Sequence, residues 1–152
     1  MNIHESKMAP ARDYERITPT MDISVFGMGY VGVVSAACLT NNGHTVIGVD
    51  TNNTKTDLVN AGTSPIIEKD VSSFLSTAHN EERLTATTDA AEAVAASSLS
   101  LVCVGTPSRK NGSLDTSIVE KVCREIGAAI KLKDDYHCVV IRSTMLPGTI
   151  NE

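Results

Sequence analysis

The segment Asp22-Ile23-Ser24-Val25-Phe26-Gly27-Met28-Gly29-Tyr30-Val31-Gly32 constrains this chain more than any other. A short apolar run ends in Gly27-x-Gly29-x-x-Gly32 and an Ala-rich helical pattern follows directly. A second apolar run, Thr45-Val46-Ile47-Gly48-Val49, then ends at Asp50. Strand, glycine turn, helix, strand and acid in that order are the pattern of a dinucleotide-binding βαβ unit. The three glycines have separate roles. Gly27 allows the tight turn, Gly29 lets the backbone approach a pyrophosphate, and Gly32 lets the helix pack closely on the strand. The helix start, with Tyr30 and Val31, presents free N–H groups and a partial positive charge to phosphates. Asp50 stands where an adenosine ribose is held, and Lys55 projects from the first turn of the next helix, beside it. A βα turn with no ligand is the plainer alternative, and Asp50 weighs against it.

The remaining segments repeat the alternation. A helix is expected over 30–42, with Val31, Val34, Ser35, Cys38 and Leu39 on one face and the small Ala36 and Ala37 suited to close packing on a sheet, closed by Asn41-Asn42-Gly43. A short helix capped by Thr51 or Asn52 follows, then an extended apolar segment, Ser64-Pro65-Ile66-Ile67-Glu68, and a helix over 70–78. Leu84-Thr85-Ala86-Thr87 is a weak strand, and Thr88 or Asp89 caps an Ala-rich helix. Ser98-Leu99-Ser100-Leu101-Val102-Cys103-Val104 is the clearest buried strand, and it runs into Gly105-Thr106-Pro107. Asp115 or Thr116 caps a helix whose positions Ile118, Val119, Val122, Ile126 and Ile130 keep a 3.6-residue period. His137-Cys138-Val139-Val140-Ile141 is the last strand, ending in Arg142-Ser143-Thr144, and Leu146-Pro147-Gly148-Thr149 reads as the opening of another helix. The fold class is therefore α/β, a Rossmann-type doubly wound parallel sheet with right-handed crossovers. Ligands in such sheets bind outside the carboxyl ends of the strands, which brings Gly105, Thr106, Pro107, Ser143 and Thr144 to the site.

Composition narrows the classes. The chain has 152 residues, enough for one domain with a core. A net charge of -5 supplies no basic patch for nucleic acid. No apolar run approaches the ~20 residues that cross a bilayer, and the polar N-terminus does not read as a secretory signal. Cys38, Cys103, Cys123 and Cys138 each fall within apolar patterns and show no zinc-ligand spacing, so they are expected as free, buried thiols of a cytoplasmic protein. Residues 1–20 carry no periodicity and are expected as a disordered leader, leaving 21–152 as the folded domain. The strand count stops short of six, so the domain is expected to be incomplete at its C-terminal side.

Gly27-Met28-Gly29-Tyr30-Val31-Gly32, Val49-Asp50, Ser64-Pro65-Ile66-Ile67-Glu68, Val104-Gly105-Thr106-Pro107 and Ser143-Thr144-x-x-Pro147-Gly148-Thr149 occur in a familiar order and spacing. Together they resemble the NAD-binding domain of the UDP-glucose/GDP-mannose dehydrogenase family. The loop 105–115 and the helical stretch 122–127 look most like its GDP-mannose branch, with the UDP-glucose branch and a catalytically silent NAD-binding module as alternatives. The resemblance implies a two-step, four-electron oxidation of a sugar-nucleotide alcohol to a uronate through a cysteine-bound thioester, with two NAD+ reduced. It implies that Gly27, Gly29, Tyr30 and Val31 cradle the pyrophosphate and that Asp50 and Lys55 hold the adenosine ribose. Thr106 and Thr144 then line the nicotinamide side, and Thr144 also orders a catalytic water. The nucleophilic cysteine and most sugar-nucleotide contacts of the family fall after residue 152, so this chain alone is expected to be inactive. The parent enzyme is implied to be a homo-oligomer. One departure concerns the fold: after Glu68 the family continues Pro-Gly, whereas this chain has Lys69-Asp70.

Overall fold

The computed structural model describes residues 19–68 and 70–149. The expected leader therefore lies, except for Pro19 and Thr20, outside the described residues, as does Lys69. In chain order the elements are β1 (Asp22–Phe26), α1 (Tyr30–Asn41), β2 (Thr45–Val49), α2 (Asn53–Asn60), α3 (Val71–Asn80) and β3 (Leu84–Thr87). They are followed by α4 (Ala90–Ala95), β4 (Leu99–Val102), α5 (Ser117–Ile130) and β5 (Cys138–Ile141). The strands form one parallel sheet in the order β3-β2-β1-β4-β5. The order reverses between β1 and β4, and the carboxyl ends of these two strands flank the crevice where such sheets bind ligands.

Two cores cover the two faces of the sheet. On one, α1 and α3 pack Val33, Ala36, Ala37 and Leu75 against Val25 and Val46. On the other, α4 and α5 pack Val94 and Ile126 against Phe26 and Val102. Helix α1 does not bury the face expected from its pattern. Gly32, Val33, Ala36, Ala37 and Thr40 are inside, whereas Val31 and Cys38 are exposed and Val34, Ser35 and Leu39 are half-buried. The helix is apolar almost all round, so period alone does not choose a face. Backbone proximity chooses it: a Cβ on Gly32 would stand 1.8 Å from the Gly27 carbonyl oxygen, and only the smallest side chains fit such a contact. The turn also hides Met28, which is fully buried and lies where a Cβ on Gly48 of β2 would meet its sulfur at 2.7 Å.

The segment 64–68 forms no strand. Ser64 folds onto Ile66, its hydroxyl bonding the Ile66 carbonyl at 2.8 Å, and Ile66 packs on the first core while Ile67 is wholly exposed. Asp70, where the resemblance implies glycine, takes φ +66° at the N-terminus of α3. The substitution thus falls on a left-handed backbone position that costs an L-residue about 1–2 kcal/mol. At the sheet edge, the Asn60 carboxamide accepts from the Ala86 N–H at 2.7 Å and donates to its carbonyl at 2.8 Å, taking both backbone groups of that β3 residue. Leu146 to Thr149 make a tight turn, the Thr149 N–H bonding the Leu146 carbonyl at 3.2 Å, with Thr149 in a 3-10 conformation; the rest of the expected helix lies outside the described residues.

Two substitutions separate these effects. Asp70→Gly raises stability by up to about 1 kcal/mol, because relief of strain exceeds the added freedom of the unfolded chain. Gly32→Ala forces α1 off the turn and costs more than the ~1–3 kcal/mol of ordinary overpacking. Urea midpoints of the two variants against wild type measure both.

Candidate functional site

The Gly27 turn is fixed from two sides. The Gly27 N–H donates to the Val49 carbonyl at 2.7 Å, and φ of +94° at Gly27 supplies a bend that other residues resist. A Cβ there would also press on the Cys103 carbonyl and the Val104 side chain, both at 3.1 Å. From β2, Asp50 reaches under the turn: its Oδ2 accepts the Met28 N–H at 2.8 Å and the Lys55 ammonium at 3.0 Å, and its Oδ1 accepts the Asn52 N–H at 3.0 Å. Lys55 arrives there because Asn52 caps α2, accepting the Thr54 N–H at 2.9 Å. Burial pushes the Asp50 carboxyl up, but the Asn52 N–H, the Lys55 ammonium and the Met28 N–H together hold it below its ordinary value. The acid is charged and already oriented.

These groups open onto a cleft of about 400 Å³ lined by Gly27, Gly29, Asp50, Lys55 and Gly105. A Cβ at Gly29 would meet nothing within 4 Å, and its φ of -87° suits any residue, so space alone distinguishes glycine there. The first bond of α1 runs from the Val33 N–H to the Gly29 carbonyl, which leaves the N–H groups of Tyr30 and Val31 ahead of the helical ladder. The opposite wall comes from the end of β4 and from α5. Cys103 continues β4, its N–H bonding the Phe26 carbonyl at 2.8 Å. Beyond Gly105 the chain folds into a hairpin closed by the Ser108–Leu114 bridge and the Arg109–Asp115 ion pair at 3.0 Å. Bonds from Ser117 and from Arg109 lower the exposed Asp115 carboxyl to about 2. The Asp115 carboxylate, rather than Thr116, caps α5 by accepting the Ser117 N–H at 3.1 Å.

Other expected residues lie around the cleft rather than in its lining. Tyr30 is exposed and its phenol donates to Glu68 Oε2 at 2.7 Å; Val31 is exposed, and Gly32 packs against the turn. Thr106 is half-buried, while Pro107 and Thr144 are exposed at the carboxyl edge. The Ser143 hydroxyl donates to the Val104 carbonyl at 2.7 Å, tying β5 to the end of β4. Sequence reasoning did not assign Thr51, Thr88, Ile118, Lys121, Val122 or Glu125 to the site; all six line the cleft, and Val122 also packs on the second core. The periodicity of α5 identifies an apolar face without showing that its first turns face a crevice.

The cysteines are free, as expected, but burial is not uniform: Cys103 is buried, Cys123 and Cys138 are half-buried, and Cys38 is exposed on the outer face of α1. Burial raises the Cys103 and Cys123 thiols. Among the described residues no cluster of His, Cys, Asp and Glu is arranged to hold a metal, and no helix is long and apolar enough to cross a membrane.

A five-stranded parallel sheet with a glycine turn at its switch point and an acid after the neighbouring strand defines a Rossmann-type dinucleotide-binding domain. The sequence matches the UDP-glucose/GDP-mannose dehydrogenase family, NAD binding domain, over residues 21–152, and the chain belongs to that family. GDP-mannose 6-dehydrogenase of Pseudomonas aeruginosa is 55% identical over 131 residues, covering 86% of this chain and 30% of that protein. UDP-glucose 6-dehydrogenase of Rhizobium meliloti is 38% identical, covering 87% of this chain and 30% of that one. The crystal structure of a ternary complex of the P. aeruginosa GDP-mannose dehydrogenase superposes with a TM-score of 0.86 at 55% identity, covering 87% of this chain and 30% of the other. This chain therefore spans about 30% of the length of the relatives it matches.

The Asp50 geometry sets a pH dependence. Its folded pKa lies below the ordinary 3.8, so its contribution to stability is complete above that value and is lost as pH falls through it and through the lower folded value. Asp50→Asn is therefore less stable than wild type at pH 7, and the gap narrows toward pH 2. Urea denaturation across that range measures the difference.

Proposed function

We propose that this chain is the NAD-binding portion of a GDP-mannose 6-dehydrogenase, in which GDP-mannose and two NAD+ give GDP-mannuronate, the precursor of alginate. The observation that carries the reading is the Asp50 carboxylate, charged, held by Met28, Asn52 and Lys55, and facing the same cleft as the open space above Gly29. NAD, when bound, supplies the hydride acceptor. The residues fit it without rearrangement of the turn. Gly29 leaves room for a pyrophosphate, and the Tyr30 and Val31 N–H groups at the α1 N-terminus are aimed by the helix at its negative charge. Asp50 accepts from the ribose hydroxyls, and Lys55 fixes the carboxylate while neutralising part of its charge. A ribose 2′-phosphate would meet that carboxylate, which favours NAD over NADP.

Gly105, Thr106, Pro107, Ser143 and Thr144 gather at the carboxyl ends of β4 and β5, the side on which the nicotinamide end is proposed to lie, with Thr144 ordering water. No cysteine here is proposed as nucleophile. Cys103, on the cleft floor, has its thiol raised by burial, and the thiol form attacks poorly. The nucleophile and the sugar-nucleotide contacts are assigned to the remaining length seen in relatives, so this chain alone does not turn over, and the whole enzyme is proposed to be a cytoplasmic homo-oligomer. The GDP-mannose branch is favoured by identity: 49–55% to GDP-mannose 6-dehydrogenases from several bacteria against 34–38% to two UDP-glucose 6-dehydrogenases.

Calorimetric titration of the purified chain with NAD+, NADP+ and GDP-mannose tests the proposal. The expected result is binding of NAD+ in preference to NADP+, little response to GDP-mannose, and affinity about 10- to 100-fold weaker in Asp50→Ala, the worth of hydrogen bonds to a charged group. Equal binding of NADP+, or an Asp50→Ala variant with unchanged affinity, overturns it.

A further inference from the structure

The cleft wall opposite the Gly27 turn runs out of β4 into an irregular stretch before α5, and two residues grip that stretch by its carbonyls. Ahead of Gly105, the Val104 carbonyl accepts the Ser143 hydroxyl at 2.7 Å. Ser143 stands just after β5, and its own N–H bonds the Val102 carbonyl at 3.1 Å, so the hydroxyl carries the β4–β5 ladder one step past its last backbone bond. Beyond Thr106, the Pro107 carbonyl accepts the Asp115 N–H at 2.8 Å. Asp115 is fixed in turn by its carboxylate, whose Oδ1 accepts the Ser117 N–H at 3.1 Å and the Arg109 guanidinium at 3.0 Å. One residue therefore caps α5, closes the hairpin at its base and holds the chain two positions past Gly105. With a carboxyl lowered to about 2, it stays charged in this role at any ordinary pH.

Gly105 and Thr106 lie between the two grips. Thr106 precedes a proline, which confines its backbone to the extended region. Gly105 lines the cleft, and a side chain placed on it would meet nothing within 4 Å. Among the described residues neither the Gly105 N–H nor the Thr106 N–H donates to a backbone carbonyl. Donors left open on a backbone held at both ends are available to the carboxamide of a nicotinamide. The Ser143 proton, by contrast, is already committed to Val104, so this serine acts on a cofactor through the backbone it holds.

We propose that Asp115 and Ser143 are positioning residues for the nicotinamide end of the dinucleotide: from opposite sides they keep the Gly105-Thr106 backbone in place at the cleft wall. The proposal rests on the NAD reading above. It separates the two ends of the cofactor, because Asp50 and the α1 N-terminus serve the adenosine and pyrophosphate and owe nothing to either grip.

Calorimetric titration with NAD+ and with ADP-ribose, which is the same molecule without its nicotinamide, tests this in wild type, Asp115→Ala, Asp115→Asn and Ser143→Ala. A variant that is merely less folded loses both ligands in the same proportion. Asp115→Ala and Ser143→Ala are each expected to bind NAD+ about 3- to 10-fold more weakly, the worth of about one net hydrogen bond, with ADP-ribose affinity unchanged. Asp115→Asn keeps an oxygen for Ser117 and Arg109 and is expected to recover most of the NAD+ affinity. Equal losses of NAD+ and ADP-ribose, unchanged NAD+ affinity in both alanine variants, or an asparagine no better than alanine overturns the positioning role while leaving the NAD reading intact. Should Asp115→Ala fail to fold, Ser143→Ala and Asp115→Asn decide by the same comparison. A wild-type chain that binds neither ligand overturns the NAD reading, and this proposal with it.

Discussion

The contact between the backbone of α1 and the Gly27 carbonyl governs the rest of this structure. With Gly32 lying where a Cβ would stand 1.8 Å from that oxygen, α1 sits as close to the turn as a helix can. That closeness sets which side of α1 is buried, with Gly32, Val33, Ala36, Ala37 and Thr40 inside and Val31 and Cys38 outside. It also aims the start of α1 into the crevice between β1 and β4, which makes the first-turn N–H groups available to an anion. Packing and binding are two results of one short distance.

Asp50 adds a second constraint of the same economy. A single carboxylate secures the Met28 N–H in the turn, the Asn52 N–H ahead of α2 and the Lys55 ammonium from its first turn. Met28, held by its backbone, drives its side chain under the turn onto Gly48 of β2. The acid that faces the cleft is thus also the clasp that positions the turn and α2 around it.

Much of this was legible in the sequence, for physical reasons that vary along the chain. The glycine turn and Asp50 were readable because their roles depend on backbone conformation and charge, which residue identity states directly. The strands were readable from apolar runs, and α2 and α4 from side chains that can cap them, Asn52 and Asp89. The packed face of α1 was readable only at its small residues, Ala36 and Ala37, because a helix that is apolar on all sides carries no periodic signal and the rest of the choice is made by a contact with another segment. Ile118 and Val122 were not recognisable as cleft residues for a related reason: an apolar side chain lining a crevice has the same pattern as one in the core. The Asn60 bonds to Ala86 and the hydroxyl bonds of Ser24 with Ser97 and Ser100 join residues 26 to 76 positions apart, and no local pattern announces them. The departure at Asp70 was visible as a missing glycine, and the structure supplies its meaning, a left-handed backbone carried by an L-residue.

The carboxamide of Asn60 has an effect on the sheet as a whole. It copies the hydrogen-bonding of a strand at Ala86, holding both backbone groups of that edge residue. At the other margin, β5 presents Val139 and Val140 part-exposed, with no proline or charge between Cys138 and Ile141 to deter pairing. The two margins of the sheet therefore differ: at β3 the outward groups of one residue are already held by a side chain from α2, whereas β5 carries two exposed valines and no charge.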